Sequence, residues 1–282
     1  MERFKEFVKN IHDEIGEYTK VEFGQDTYFQ CTLRASFSKL IEFNHYLYTQ
    51  KENSFGFFLT PVLRGICEDL IIHKFFKKEL SEVANELTWL LAQLHLLQGI
   101  KSQDDFFTLN RSWQPVIRQT DYSNIQELKN QIKKLLNNNG IRGNKMPPVA
   151  QLAERVGLKE IYEFVYRASS NFVHYNPHIL LRFGWNDGNT KVYDYSVKNF
   201  SDYYLYFTHM YSIYLMCQYC KEFKDDLSLS ERITSNVDLV ENELNEMLTW
   251  YELVTFEELN QKRPPEFLVL GYKIAFENKN ES

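Results

Sequence analysis

Apolar positions recur at helical spacing along almost the whole chain. Phe29, Leu33, Phe37, Leu40, Ile41 and Tyr48 form one stripe, the pattern of a helix packed on one side. The spacing predicts a first amphipathic helix from about Arg3 to Tyr18 and a second from about Asp26 to Lys51. A third is predicted from about Leu59 to Lys78, with Pro61 in its first turn. A fourth runs from about Leu80 to Gly99, opened by Ser81 and closed by the glycine. Lys101 to Tyr122 lacks a clear period and reads as an exposed loop with short helical turns. Ser123 caps a helix to about Asn138, and the Gly/Pro-punctuated GIRGNKMPP comes next as a loop. A short helix, Val149 to Val156, ends at Gly157, and a helix from Leu158 to Asn176 is stopped by Pro177.

The β signal is confined to one place. LLRFGW, NDGN and TKVYDYS read as two short strands around an Asp-Gly turn. A tyrosine-rich helix and an acidic helix from about Ser230 to Leu253 complete the pattern. Pro264 and Pro265 then precede PEFLVLGYKIAF, an apolar run of undecided state, and residues beyond Glu277 read as disordered. The predicted fold class is all-α: a helical bundle with one small β-hairpin insertion after the motif helix, residues 1–282 forming a single domain. Within it stand N-terminal helices (1–52), a core of about 59–214, and an acidic C-terminal helix and tail (221–282).

Tyr203 to Cys220 contains no formal charge over eighteen residues, the length at which a membrane-spanning helix becomes a candidate. Its six tyrosines, with Thr208, His209, Ser212 and Gln218, fit the central helix of a soluble bundle instead. No membrane association is expected. With 16% aromatic residues, 11 Gly and 7 Pro among 282, the chain is neither low-complexity nor disordered.

The net charge of −6 excludes a uniformly basic nucleic-acid binder, but the charge is uneven. The last 62 residues carry a balance of −7, whereas Arg111 to Val149 has a balance of +5. Lys133, Lys134, Arg142 and Lys145 in that window are candidates for contact with an anionic partner such as RNA, or form a solvated basic loop. Cys31, Cys67, Cys217 and Cys220 lack the spacing of a zinc or disulfide framework. Cys217 and Cys220, in a helical apolar run, read as core thiols; the cysteine usage fits a reducing cytoplasm, and neither a metal nor another cofactor is expected.

Two stripes interleave on the helix from Leu158 to Asn176. Ile161, Phe164, Val165, Ala168, Phe172 and Tyr175 mark a core face, while Arg167, Ser170, Asn171 and His174 stand at i, i+3, i+4 and i+7 on the other. Seven steps are nearly two turns, which puts Arg167 and His174 on one face about 10 Å apart along the axis. The stripe is either the wet face of an amphipathic helix or a polar recess with chemistry. A guanidinium grips phosphate and an imidazole moves protons near neutral pH. RNA brings its own 2′-hydroxyl as nucleophile, so such a pair suffices for cleavage. A symmetric dimer would supply both an acid and a base.

RASSNFVH, Arg167 to His174, has the Arg-x6-His spacing that resembles the HEPN superfamily of helical domains (higher eukaryotes and prokaryotes nucleotide-binding domains). The string AERVGLKEIYEFVYRASSNFVHYNP resembles an uncharacterised bacterial branch of it, in which an earlier helix carries an Arg and a Glu one turn apart, matched by Arg64 and Glu68 in RGICEDL. The resemblance implies a metal-independent endoribonuclease of bacterial defence or toxin–antitoxin type. It would act as a homodimer with Arg167 and His174 catalytic, and with an antitoxin or sensor protein as a possible partner. Ser170, Asn171, Arg64 and Glu68 would support the site. Active members place a polar residue directly after the Arg, where this chain has Ala168. The alternative is therefore a non-catalytic helical module binding a nucleotide or a partner protein. No Gly-rich phosphate loop, HExxH or Gly-x-Ser-x-Gly elbow is present.

Overall fold

A computed structural model describes residues 2–22, 24–49, 56–116, 121–143, 145–185 and 192–253. The chain opens with helices α1 (Glu2–Asp13), α2 (Ile15–Thr19), α3 (Tyr28–Thr49), α4 (Gly56–Glu79) and α5 (Ala84–Asn110). Next come α6 (Ser123–Asn138), α7 (Val149–Arg155), α8 (Lys159–Ile161), a π-helical turn (Tyr162–Tyr166), α9 (Arg167–Ser170) and α10 (Pro177–Leu181). Strands β1 (Gly184–Trp185) and β2 (Asp194–Tyr195) pair antiparallel, and α11 (Ser201–Phe223) and α12 (Glu231–Glu246) complete the order. The fold is an all-α bundle with one small hairpin, as the periodicity predicts.

The charge-free segment forms the axis of the bundle. Helix α11 is buried along most of its length and packs on α4, α3 and α12. Fully buried Phe and Leu side chains of this kind contribute roughly 1.5–3 kcal/mol each relative to exposure. Several polar groups of α11 are hydrogen-bonded within the helix or across the core. Thr208 Oγ1 donates to Tyr204 O at 2.7 Å and lies 2.9 Å from Thr60 Oγ1. Ser212 Oγ donates to Asn44 Oδ1 at 2.8 Å, and Asn44 Nδ2 donates to Leu40 O at 2.9 Å. His209 is 7% exposed, stacked on Tyr48, and lies 3.1 Å from Leu47 O through Nε2. Among the described residues no helix is long and apolar enough to cross a membrane.

At Gly56 the backbone of α4 comes close to that of α11. A Cβ there would stand 2.2 Å from Ser201 O and 2.6 Å from Leu205 N, both backbone atoms. Only a residue without a side chain permits this approach, and it is secured by Gly56 N–H donating to Ser201 Oγ at 3.2 Å. Starting α4 at Gly56 leaves Pro61 inside the helix and not in its first turn.

Several other boundaries differ from the sequence expectation. The first helix breaks at Glu14 into α1 and α2. Helix α5 runs through Gly99 to Asn110 and consumes the start of the expected loop, its extension carrying the Lys101–Asp105 pair at 2.7 Å. One helical glycine costs only about 1 kcal/mol, which a 27-residue helix absorbs. Ser123 is the first residue of α6 and not its cap: the N-cap is Tyr122, and just ahead of it Asp121 Oδ1 accepts from Ser123 N–H at 2.8 Å. Gly140 and Gly157 take left-handed conformations and close α6 and α7 in the same way. In each case the next residue donates to a carbonyl five positions back, Ile141 to Leu136 and Leu158 to Ala153. Helix α12 ends at Glu246, short of the expected Leu253. The NDGN turn, the Pro264–Pro265 break, the apolar run after it and the segment beyond Glu277 lie outside the described residues.

The region after the motif helix departs most. Asn176 Oδ1 accepts from His178 N–H at 3.0 Å and Ile179 N–H at 3.4 Å, with Pro177 in the first turn. Pro177 therefore opens a helix, α10, over residues expected as strand, and the strand shrinks to Gly184–Trp185. Ile179 and Phe183, with Tyr204, make a small second core under the hairpin.

Candidate functional site

The expected continuous helix from Leu158 to Asn176 is instead α8, a π turn and α9, ending at Ser170 with turns at 171–173. In the π turn Arg167 N–H reaches back to Tyr162 O, five residues away. The extra residue puts α9 out of phase with α8. The expected core stripe splits accordingly. Ile161, Val165 and Ala168 are buried, Phe164 is exposed, Phe172 packs at 4.9 Å from Tyr204, and Tyr175 is 85% exposed.

In a π turn, as in an α-helix, side chains four apart fall on the same side. Tyr162 and Tyr166 accordingly stack, with ring centroids 4.8 Å apart. The Arg167 guanidinium lies over Tyr162 at 5.9 Å, and the Arg64 guanidinium lies over Tyr166 at 5.3 Å. The two tyrosines are thus a bridge between two arginines from different helices.

Arg64 then turns to the motif histidine. Its Nε–H donates to Tyr166 Oη at 3.2 Å and its Nη1 lies 3.0 Å from His174 Nε2. Arginine has donors only, so His174 Nε2 is the acceptor and its imidazole carries the proton on Nδ1. His174 N–H bonds Ser170 O at 3.2 Å, which fixes the backbone just past the helix end. His174 and Arg167 are both exposed, and Arg64 is half-buried.

The sequence-derived residues fall into three places. Arg64, Arg167 and His174 are linked through the tyrosine pair, and the direct neighbour of His174 is Arg64. Ser170 Oγ donates to Tyr166 O at 2.7 Å and so ties down the π turn, while Asn171 N–H closes the end of α9. Glu68, one turn beyond Arg64 on α4, lines a separate cavity of about 870 Å³ together with Arg142, Lys145 and Lys129. Lys133 and Lys134 stand apart on the exposed face of α6 beside Asn130, Asn137 and Asn138.

Sequence reasoning passed over Tyr162 and Tyr166. The signal was a Tyr pair at i, i+4 running into Arg167, where a surface stripe would carry charge. Among the described residues, no group of three or more His, Cys, Asp or Glu is placed to hold a metal ion. Cys67, Cys217 and Cys220 are buried, and burial pushes the Cys217 thiol up to about 12. Cys31 is exposed.

Fold and site together define an all-α bundle that presents an Arg–Tyr–Tyr–Arg–His array at its surface. The chain belongs to the Family of unknown function (DUF5677), whose sequence profile matches residues 35–192. The matched segment contains Arg64, Glu68, Tyr162, Tyr166, Arg167 and His174 and stops short of α11. No curated protein and no solved structure matches the chain.

Proposed function

We propose that this array handles phosphodiesters and that the protein is a metal-independent endoribonuclease. The observation that carries the reading is the 3.0 Å contact between Arg64 and His174 Nε2. It keeps an unprotonated imidazole nitrogen at the surface, beside a group that binds phosphate. An incoming phosphate takes the Arg64 guanidinium, in the bidentate manner guanidinium favours. That releases the Nε2 lone pair next to the adjoining 2′-hydroxyl. Nε2 accepts the hydroxyl proton, the 2′-oxygen bonds to phosphorus, and the bond from phosphorus to the 5′-oxygen breaks, leaving a 2′,3′-cyclic phosphate. Arg167 and Arg64 offset the charge that gathers on the phosphoryl oxygens.

The departing 5′-oxygen takes a proton from a protonated imidazole of a second copy in a homodimer. In support, Val173, Tyr175, Leu180 and Leu181 around His174 are exposed apolar side chains, the kind of patch that marks an interface. Lys133 and Lys134 add a cationic surface that attracts RNA. The likeness of Arg167–His174 to the HEPN motif is the ground for a cytoplasmic role in bacterial defence or a toxin–antitoxin pair, with an antitoxin or sensor as partner.

One observation favours a second reading. Ala168 is 2% exposed and packs in the main core, so the position after Arg167 contributes no polar group to the surface site. A non-catalytic module that grips a nucleotide or a partner through Arg64 and Arg167 fits this equally well. Cleavage of mixed-sequence RNA in EDTA separates the two. The ribonuclease reading requires cutting by the wild type and loss of it in Arg167→Ala and His174→Ala with unchanged circular dichroism. Inert wild type with retained, arginine-dependent nucleotide binding supports the module.

A further inference from the structure

The cavity beside Glu68 is walled by α4, α5, α6 and α7 and the loop before α7. Its body is apolar, built from Ile72, Phe76, Leu91, Leu94 and Ile132. Its volume, about 870 Å³, falls within the range of small-molecule sites.

Lys129, Arg142 and Lys145 also line it, and all three are exposed. None of them has an ion pair or hydrogen bond among the described residues. Some cations elsewhere are paired, among them Lys74 with Glu222 at 2.8 Å, Lys77 with Asp226 at 2.9 Å, and Arg34 with Asp26 at 2.5 Å. Three unpaired cations thus converge on a single large apolar cavity.

We propose that this cavity binds a small amphipathic anion, with an aliphatic body against the apolar walls and one carboxylate or phosphate head held by Lys129, Arg142 and Lys145. A neutral hydrophobe would leave the cations unused, and a nucleic-acid strand would leave the apolar interior unused. Charge complementarity selects an occupant that uses both. Glu68 shares the lining as an unpaired carboxylate. It reduces the local balance from three positive charges to two and opposes the head group. The inference does not depend on the ribonuclease reading.

The test is isothermal titration calorimetry of the full chain with decanoate and decyl phosphate below their micelle thresholds. Decanol, inorganic phosphate and a single-stranded RNA oligomer serve as competitors. Saturable binding of one anionic amphiphile per chain is expected, with decanol and inorganic phosphate at least about tenfold weaker. The stronger of the two amphiphiles identifies the head group. Arg142→Gln and Lys145→Gln should each weaken binding by about tenfold, whereas Glu68→Gln should tighten it a few-fold. The opposite signs are the signature, since a merely structural role would not produce them, and these variants lie at exposed or half-exposed positions. Leu91→Trp, which fills the cavity, should abolish binding with the circular dichroism retained. Absence of saturable binding, equal affinity for decanol, or the same change in all three charge variants would overturn the proposal. Displacement of the amphiphile by RNA or by inorganic phosphate at matched concentration would do so too.

Discussion

Replacing His209 by glutamine isolates the contribution of one buried imidazole to acid stability. The ring stacks on Tyr48 with centroids 4.7 Å apart, and Nε2–H donates to Leu47 O at 3.1 Å. Among the described residues Nδ1 is buried with no hydrogen-bond partner, so a second proton there would have none of them to bond. Burial pushes the group down to about 4, against roughly 6.5 in the unfolded chain. Between those values the unfolded chain binds the extra proton and the folded chain does not. Stability therefore rises with pH through this window and is lost on acidification. At pH ~4.5 the loss is about 2.5 kcal/mol, approaching ~3 kcal/mol below pH 4, a large share of the ~5–15 kcal/mol typical of folded proteins. Glutamine keeps a donor for Leu47 O and does not titrate. Urea unfolding monitored by circular dichroism, from about pH 7 to about pH 4.5, compares the two proteins. His73, also pushed down by burial, is common to both and cancels. The variant should begin less stable at neutral pH and gain about 2.5 kcal/mol relative to wild type at the acid end. A stability difference that stays constant across the range would refute the reasoning.

Particular contacts set the other outcomes. Gly56→Ala should cost about 2 kcal/mol or more, because its Cβ meets backbone of α11 that must move. Gly99→Ala, with nothing within 4 Å, should gain up to about 1 kcal/mol, and thermal unfolding reads both. Iodoacetamide should label Cys31 in the native protein and reach Cys67, Cys217 and Cys220 only after unfolding, as read by mass spectrometry. Nitrogen-15 NMR should find His174 protonated on Nδ1, with the second tautomer appearing in Arg64→Gln. Observation of the Nε2–H tautomer in wild type would remove the Arg64 contact from the account.

The all-α class and the burial of the tyrosine-rich helix were legible because both rest on periodicity and on the absence of charge, which are local. Caps were partly legible: Gly157 ends α7 as its position suggests, while Ser123 became the first residue of α6, its N–H held by Asp121 two positions earlier, because Asp competes with Ser for such contacts. Gly99 misled because a glycine signals a stop only when flanking contacts are weak. The site was legible as a choice of residues and not as geometry. Arg167 and His174 fall on one face of an ideal helix, and a π turn and an early end broke that frame. The partner of His174 comes from α4, 110 residues earlier, a distance no spacing rule spans. Arg64 and Glu68 read as a pair, but one faces the histidine and the other the cavity.

The central claim is that Arg64, Arg167 and His174 use the RNA's own 2′-hydroxyl to break its chain. The most direct measurement is single-turnover cleavage, in EDTA, of an RNA oligomer mapped for its cut position, against the same oligomer with one 2′-deoxy nucleotide at that position. The account expects a 2′,3′-cyclic phosphate product from the first and no cutting of the second at that bond. Equal cutting of both would contradict it.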